Sequence, residues 1–348
     1  MRFTLMISVL LAGLAPAAAT AADKDRVLLV VSSHGRDDGK TQPGFEMDEL
    51  AQAWLVFRDN GLAADIASPE GGLAIADEFS AAKPYNLAFT KDAEGSAKLA
   101  QTLRLSQVDA GRYAAVFIIG GKGAMFDLPF SQSLTTLVAS VHGRGGIIGA
   151  VCHGPAVFAR MRDKDGKPFA AGRTLAGFTD EEEALFGKTW VAQFPFQIES
   201  EFRRQGATFS EAPFMLPHVA VDDRIVTGQN PYSVALAAEA VVTALGKAPT
   251  PRPQWADEKS MLLLASALAK PDTLAPALAK SHKDLDVPLI AIWGYYRTIE
   301  AAGEPARTTE GLRVMEAAEP WFDDQGLDDA IVAVRKTLAS GGDGKKPD

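Results

Sequence analysis

The chain holds a single cysteine, Cys152, followed at once by His153 and then by Gly154 and Pro155. A thiol beside an imidazole is a nucleophile with a proton acceptor at hand, the pairing suited to covalent attack on a carbonyl carbon. The run "GIIGAVC" (146–152) that leads into it is apolar and short and reads as a buried strand. Pro155 suits a first helical turn, because its missing N–H would have no partner there. Cys152 is therefore expected at a strand-to-helix elbow that presents its side chain at the sheet edge, in the manner of a hydrolase nucleophile. Amides at the helix start favour thiolate, so the thiol is expected to titrate below the ordinary value of about 8.5. A lone cysteine after a strand is more often a small buried apolar residue. Here the adjoining histidine, the Gly-Pro start and the strand end together favour chemistry.

Acids that could serve such a thiol occur in two clusters. "FEMDEL" (45–50) offers Glu46, Asp48 and Glu49, and the spacing of three puts Glu46 and Glu49 on one helix face. Sequence does not choose between them, and solvated helix charge would look the same. "DEEE" (180–183) reads as an acidic first turn favoured by the helix dipole. His34, shortly after the first strand, falls at a sheet end from which a pocket can be lined, whereas His218 in "LPHVAVDD" reads as support for a turn. The five histidines are scattered, and neither H-x-x-x-H nor C-x-x-C occurs, so no metal site is expected. "IGGKG" lacks the G-x-x-x-x-G-K-[ST] pattern of a phosphate loop, and no cofactor is expected.

The elements that must position these residues alternate. "RVLLVVSS" (26–33) reads as a strand, "FEMDELAQAWLVFRDNG" (45–61) as a helix and "LAADIASP" (62–69) as a strand. "YAAVFIIGG" (113–121) reads as a buried strand and "SQSLTTLVASVHGRG" (131–145) as an amphipathic helix. Apolar strands separated by helices imply an α/β fold: a doubly wound, mostly parallel sheet sandwiched by helices. Ligands in such folds sit outside the carboxyl ends of the strands, where both Gly120-Gly121 and Cys152 fall.

With 348 residues and 47% hydrophobic content the chain can bury a large core. Its net charge of -9, without a Lys/Arg cluster, argues against a nucleic-acid partner. The N-terminus has Arg2, an apolar stretch from Leu5 to Leu14 and small residues ending Ala19-Thr20-Ala21, the layout of a secretory signal peptide over 1–21. The mature protein is expected to be exported, periplasmic or secreted, and no later stretch approaches the roughly 20 apolar residues of a membrane span. One cysteine cannot form an internal disulfide, so its retention in an oxidising compartment asks for another reason. The α/β domain is expected over 22–246, a Pro-rich linker over 247–256, a helical C-terminal appendage over 257–340 and a disordered tail over 341–348. Helical periodicity recurs at 257–270, 285–303, 308–322 and 326–340, and a chain ending near Lys247 is expected to fold.

"TQPGFEMDEL" (41–50), "GGKGAMFDLP" (120–129), "AVCHGPA" (150–156), "AGFTDEEE" (176–183) and "PHVAVDDRIVTGQNPYS" (217–233) follow in the order and spacing of the ThiJ/PfpI superfamily, which has a flavodoxin-like, glutamine amidotransferase-like fold. Over about residues 26–246 the chain most resembles its glutathione-independent glyoxalase (D-lactate dehydratase) and heat-shock-chaperone branch. The resemblance implies Cys152 as nucleophile, His153 as its neighbour in the catalytic set, Glu49 as the acid approaching the thiol, and Glu183, favoured over Glu182, as the acid orienting the histidine. It puts an oxyanion and substrate-binding site at Gly120, Gly121 and Lys122, and Lys122 departs from the branch, which usually has histidine there. A lyase converting methylglyoxal to lactate through Cys152 is the function implied, with a small-molecule carbonyl substrate. An amidase or peptidase using the same cysteine and a non-enzymatic holdase or redox-stress protein are the alternatives. The resemblance leaves a homodimer open.

Overall fold

The computed structural model describes residues 25–300 and 304–340; the expected signal peptide and the tail from 341 lie outside them. Arg26–Val30 (β1), Ala63–Ser68 (β2), Leu103–Arg104 (β3), Ala115–Ile118 (β4) and Ile147–Val151 (β5) run parallel. A small separate sheet pairs Thr174–Leu175 (β6) with Thr208–Phe209 (β7), and Val219–Asp222 (β8) forms an antiparallel hairpin with Ile225–Gly228 (β9). The seven-stranded sheet has the order β3-β2-β1-β4-β5-β9-β8. Winding proceeds outward from β1 through β2 to β3, then restarts at β4 on the other side, which places the topological switch point between β1 and β4.

Alternation along β1 shows why its run is apolar throughout. Val27 and Leu29 enter the core on one face of the sheet, while Leu28 and Val30 enter the core on the other. The helices of this part are Met47–Asp59 (α1), Pro84–Lys91 (α2), Ala93–Ala100 (α3), Ala124–Asp127 (α4), Gln132–Gly143 (α5), Asp180–Phe186 (α6), Ile198–Arg204 (α7) and Val234–Ala244 (α8). The first face is covered by α1 and α8, and the second by α5 with the helical turns after β5. Met47 through Phe57 are all buried, so α1 lies inside the fold and carries its acids inward with it.

Residues 247–255 form neither helix nor strand but are tied down. The Thr250 N–H donates to Asn60 Oδ1 at 2.7 Å, and Arg252 pairs with Glu239 at 2.9 Å and Glu258 at 2.7 Å. Beyond them stand Ala256–Ala269 (α9), Leu274–Ser281 (α10), Val287–Glu300 (α11), Pro305–Ala318 (α12) and Gln325–Ala339 (α13). α10 falls in a stretch to which sequence periodicity assigned no helix. It has eight residues and Pro276 in its first turn, so its apolar stripe is too short to announce itself. The core of these helices, with Trp293, Met315 and Leu264 at its centre, also takes in Phe214, Met215 and Leu216 from the α/β part. Among the described residues no helix is long and apolar enough to cross a membrane.

Candidate active site

Cys152 follows β5 directly and has φ of +57°, a left-handed backbone that costs a non-glycine residue about 1–3 kcal/mol. Two hydrogen bonds hold it there: its N–H donates to Gly228 O, and its carbonyl accepts from the Phe178 N–H, both at 2.9 Å. The turn closes only because its neighbours lack side chains. A Cβ on Gly120 would lie 2.6 Å from His153 N, and one on Gly154 would lie 2.4 Å from Ile118 O. The helix that follows, Gly154–Arg160, is a 3-10 helix rather than the expected α-helix, with Pro155 in its first turn. Fewer aligned amides give it a weaker dipole toward the sulfur.

Cys152 Sγ lies 3.2 Å from His153 Nδ1, and His153 Nε2 lies 2.8 Å from Glu183 Oε1. All three side chains are buried. Phe178 packs on the imidazole at 4.5 Å between centroids, and Phe194 meets it edge-on at 5.8 Å. Glu182 faces elsewhere. It closes a capping box with Thr179 and accepts from Met215 N and Asn230 Nδ2, each at 2.8 Å, while burial pushes its carboxyl up to about 7. Of the two adjacent glutamates, Glu183 alone meets the histidine.

Glu49 is fully buried, and its Oε2 accepts the Gly120 N–H at 2.7 Å. Its other oxygen, Oε1, is buried without a hydrogen-bond partner among the described residues, and the carboxyl lies close enough to the Cys152 sulfur to raise the cost of charging the thiol. Burial pushes Glu49 well above the usual carboxylate range, and the nearby Glu46 adds to this. The expectation of a depressed thiol pKa is corrected here: burial, and then Glu49 when ionised, push Cys152 up. The Gly121 amide opposes that rise. A protonated Glu49 replaces a repelling charge with a donor, so thiol and carboxyl exchange one proton as a pair. Glu46 caps α1 by accepting from the Asp48 N–H at 3.5 Å, and burial followed by the charges of Asp48 and Asp77 pushes it up to about 7.

The glycines divide their work. The Gly120 amide is engaged by Glu49, so it positions that acid and is not free for an oxyanion as expected, whereas the Gly121 amide faces the sulfur. Lys122 is partly buried, close enough to Glu46 and Asp77 to offset their charge. His34 stacks on Phe126 at 4.5 Å, and Phe126 meets Phe194, so one aromatic wall joins the end of β1 to His153. His218 Nε2 lies 2.8 Å from Ser210 Oγ, away from the thiol. Sequence reasoning passed over Phe178, Phe194 and Asp77. Phe178 lies inside the "AGFTDEEE" segment and could have been found, but nothing local marks the other two. Among the described residues no group of three or more His, Cys, Asp or Glu side chains could hold a metal ion.

This geometry assembles a nucleophile, two candidate proton carriers and a free backbone donor in an enclosed space, as attack on a small carbonyl requires. Glyoxalase 3 of Candida albicans is 31% identical over 231 residues, covering 63% of this chain and 98% of that protein. A glutathione-independent glyoxalase of Saccharomyces cerevisiae is 30% identical over 234 residues, with 63% and 98% covered. Among solved structures, the 24 kDa rapid encystment protein of Francisella tularensis has a TM-score of 0.59 at 30% identity, covering 64% of this chain and 99% of that one. Glyoxalase III of Candida albicans has a TM-score of 0.58 at 28% identity, covering 64% and 98%. The DJ-1/PfpI family model matches residues 41–244, ending with the last residue of α8. A match over more than half of its length means that the chain belongs to the DJ-1/PfpI family.

Proposed function

We propose that this protein is a glutathione-independent glyoxalase that converts methylglyoxal to lactate through Cys152. The observation that carries the reading is the Glu49 carboxyl, pinned by the Gly120 amide at 2.7 Å near the Cys152 thiol, with its other oxygen buried and unpartnered among the described residues. Addition of the Cys152 thiol to the aldehyde forms a C–S bond, and the thiol proton passes through Glu49 or His153 to the new hemithioacetal oxygen. Glu49, ionised, then takes the proton from the former aldehyde carbon and returns it to the neighbouring carbon, while the hydroxyl proton on the first carbon's oxygen passes to the oxygen of the neighbouring carbonyl. The first carbon is oxidised to a thioester as the second is reduced to an alcohol, so no external oxidant or reductant is needed. Water cleaves the thioester, releasing lactate and the free thiol. A carboxyl raised above the usual range is a better base for a C–H proton than an ordinary glutamate. His153, held by Glu183, is suited to guide the hydrolytic water, and the Gly121 amide to receive the oxyanion.

Enclosure favours this reading over a peptidase. Cys152 is 4% exposed and its histidine is flanked by Phe178 and Phe194, which suits a three-carbon substrate better than an extended peptide. The N-terminal 21 residues support export of the enzyme, and the mass of the mature chain would test that cleavage. The deciding experiment is NMR of the purified protein with methylglyoxal. Lactate should appear with wild type and fall at least ~10³-fold in Cys152→Ala, whereas lactate formation unchanged by that substitution would defeat the proposal.

A further inference from the structure

Three consecutive glutamates on α6 face three different parts of the molecule, as the 100° step of an α-helix requires. Glu183 faces His153, Glu182 faces the turn at Met215, and Glu181 faces the C-terminal helices. Arg307 Nη2 lies 2.6 Å from Glu181 Oε1 and 2.9 Å from Glu300 Oε2, so one guanidinium joins α6 to the end of α11. Arg297 reaches the same Glu181 oxygen at 3.6 Å. A second connection runs through the backbone. Trp293 Nε1 donates to the Phe214 carbonyl at 2.9 Å, and the two rings stack 5.3 Å apart. The next residue, Met215, sits at φ of +61° and donates its N–H to Glu182. At the far end of α6, Phe186 meets Tyr296 edge-on at 5.1 Å.

A helix of seven residues cannot fix its own orientation; its contacts do so. We propose that the C-terminal helices, which lie beyond the family-matched region, are a positioning device for the active site: Arg307 and Trp293 hold α6 in the rotation that presents Glu183 to His153. Arg307 and Trp293 are thus positioning residues. They touch no reacting atom and act through Glu181 and through the 214–215 turn. The inference rests on the reading of Cys152, His153 and Glu183 as the working site. It does not depend on which carbonyl compound is the substrate.

Because Cys152 is the only cysteine, its alkylation by iodoacetamide reads the site whatever the substrate. In the full-length protein, Arg307→Gln should slow alkylation at pH 7 by about three- to tenfold and move the midpoint of its pH profile upward, the size expected for coupled neighbours. Arg307→Lys should restore most of the rate. Trp293→Phe, which keeps a stacking ring but loses the N–H donor, should act in the same direction. In a Glu183→Gln background Arg307→Gln should add nothing, since the group it positions is already disabled. Turnover of methylglyoxal should show a lower kcat at unchanged KM. A lower melting temperature with unaltered alkylation profiles in both Arg307→Gln and Trp293→Phe would overturn the inference, as would additive effects in the Glu183→Gln background. If wild type fails to turn over methylglyoxal while alkylation still responds to Arg307, the glyoxalase reading falls and the positioning role stands.

Discussion

The α/β body and the C-terminal helices bury their polar groups in different ways. In the body, Glu49, Glu182, Glu183 and His153 are almost fully enclosed and hydrogen-bonded to backbone amides, to polar side chains or to each other. In the helices, Glu316 and Arg335 pair at the rim, while the buried charges, Arg297 beside Trp293 and Glu258 on α9, are each held in an ion pair at the edge of an otherwise apolar core. Buried ionisable groups are costly and persist where the surrounding structure holds them for chemistry, whereas rim pairs stabilise only modestly. The comparison assigns reaction to the sheet ends and support to the helices.

The sharpest way to break that division is to disable one acid of the body. Glu49→Gln should lower kcat for methylglyoxal by roughly 10²–10⁴ with the protein still folded, while Glu46→Gln, which alters a helix cap, should change kcat by less than about tenfold. Equal losses in steady-state assays would show that the wrong carboxylate carries the proton.

Removal of the helices tests the other side. A chain ending at Lys247 uncovers Phe214, Met215 and Leu216, and burial of such side chains contributes about 1.5–3 kcal/mol each. Urea titration should therefore show a loss of at least ~3 kcal/mol, with aggregation setting in at lower temperature. A midpoint equal to that of the full chain would mean that the helices fold as a separate unit and only rest on the body.

The pH dependence of stability should be smaller and should report the body. Glu46, Glu182 and Asp127 are pushed up to about 7, and Glu49 is raised as well, chiefly by burial. Between their unfolded values and these raised values the folded state binds more protons, so their contribution is full below about pH 4 and is lost as pH rises through 7. His34, His142 and His218 are lowered by burial and work in the opposite sense, but all three are only partly buried. For a fully buried acid such as Glu182 the loss is on the order of 3 kcal/mol. Melting temperature should fall from pH 5 to pH 8, and Glu182→Gln should flatten that slope. A melting temperature that rises across the same range would contradict the burial argument.

Residue type and spacing alone determined the strands β1, β2, β4 and β5, the elbow at Cys152-His153 and the helical character of the C-terminal part. These signals are local: apolar runs of strand length, a proline fit only for a first turn, and stripes of helical period. Local signals lead straight to His153, but they leave Glu46 and Glu49 equivalent, because a spacing of three puts both on one helix face without saying which way it turns. Tertiary structure decided that α1 lies inside the fold with Glu49 toward the sulfur and Glu46 at the rim. It also decided that the Gly120 amide belongs to Glu49, that burial outweighs a short 3-10 helix in setting the thiol, and that Phe194 closes the site from a segment with no motif of its own. A carboxyl's proton affinity and a ring's contacts depend on what surrounds them in space, and residues far apart in the chain supply those surroundings only once it has folded.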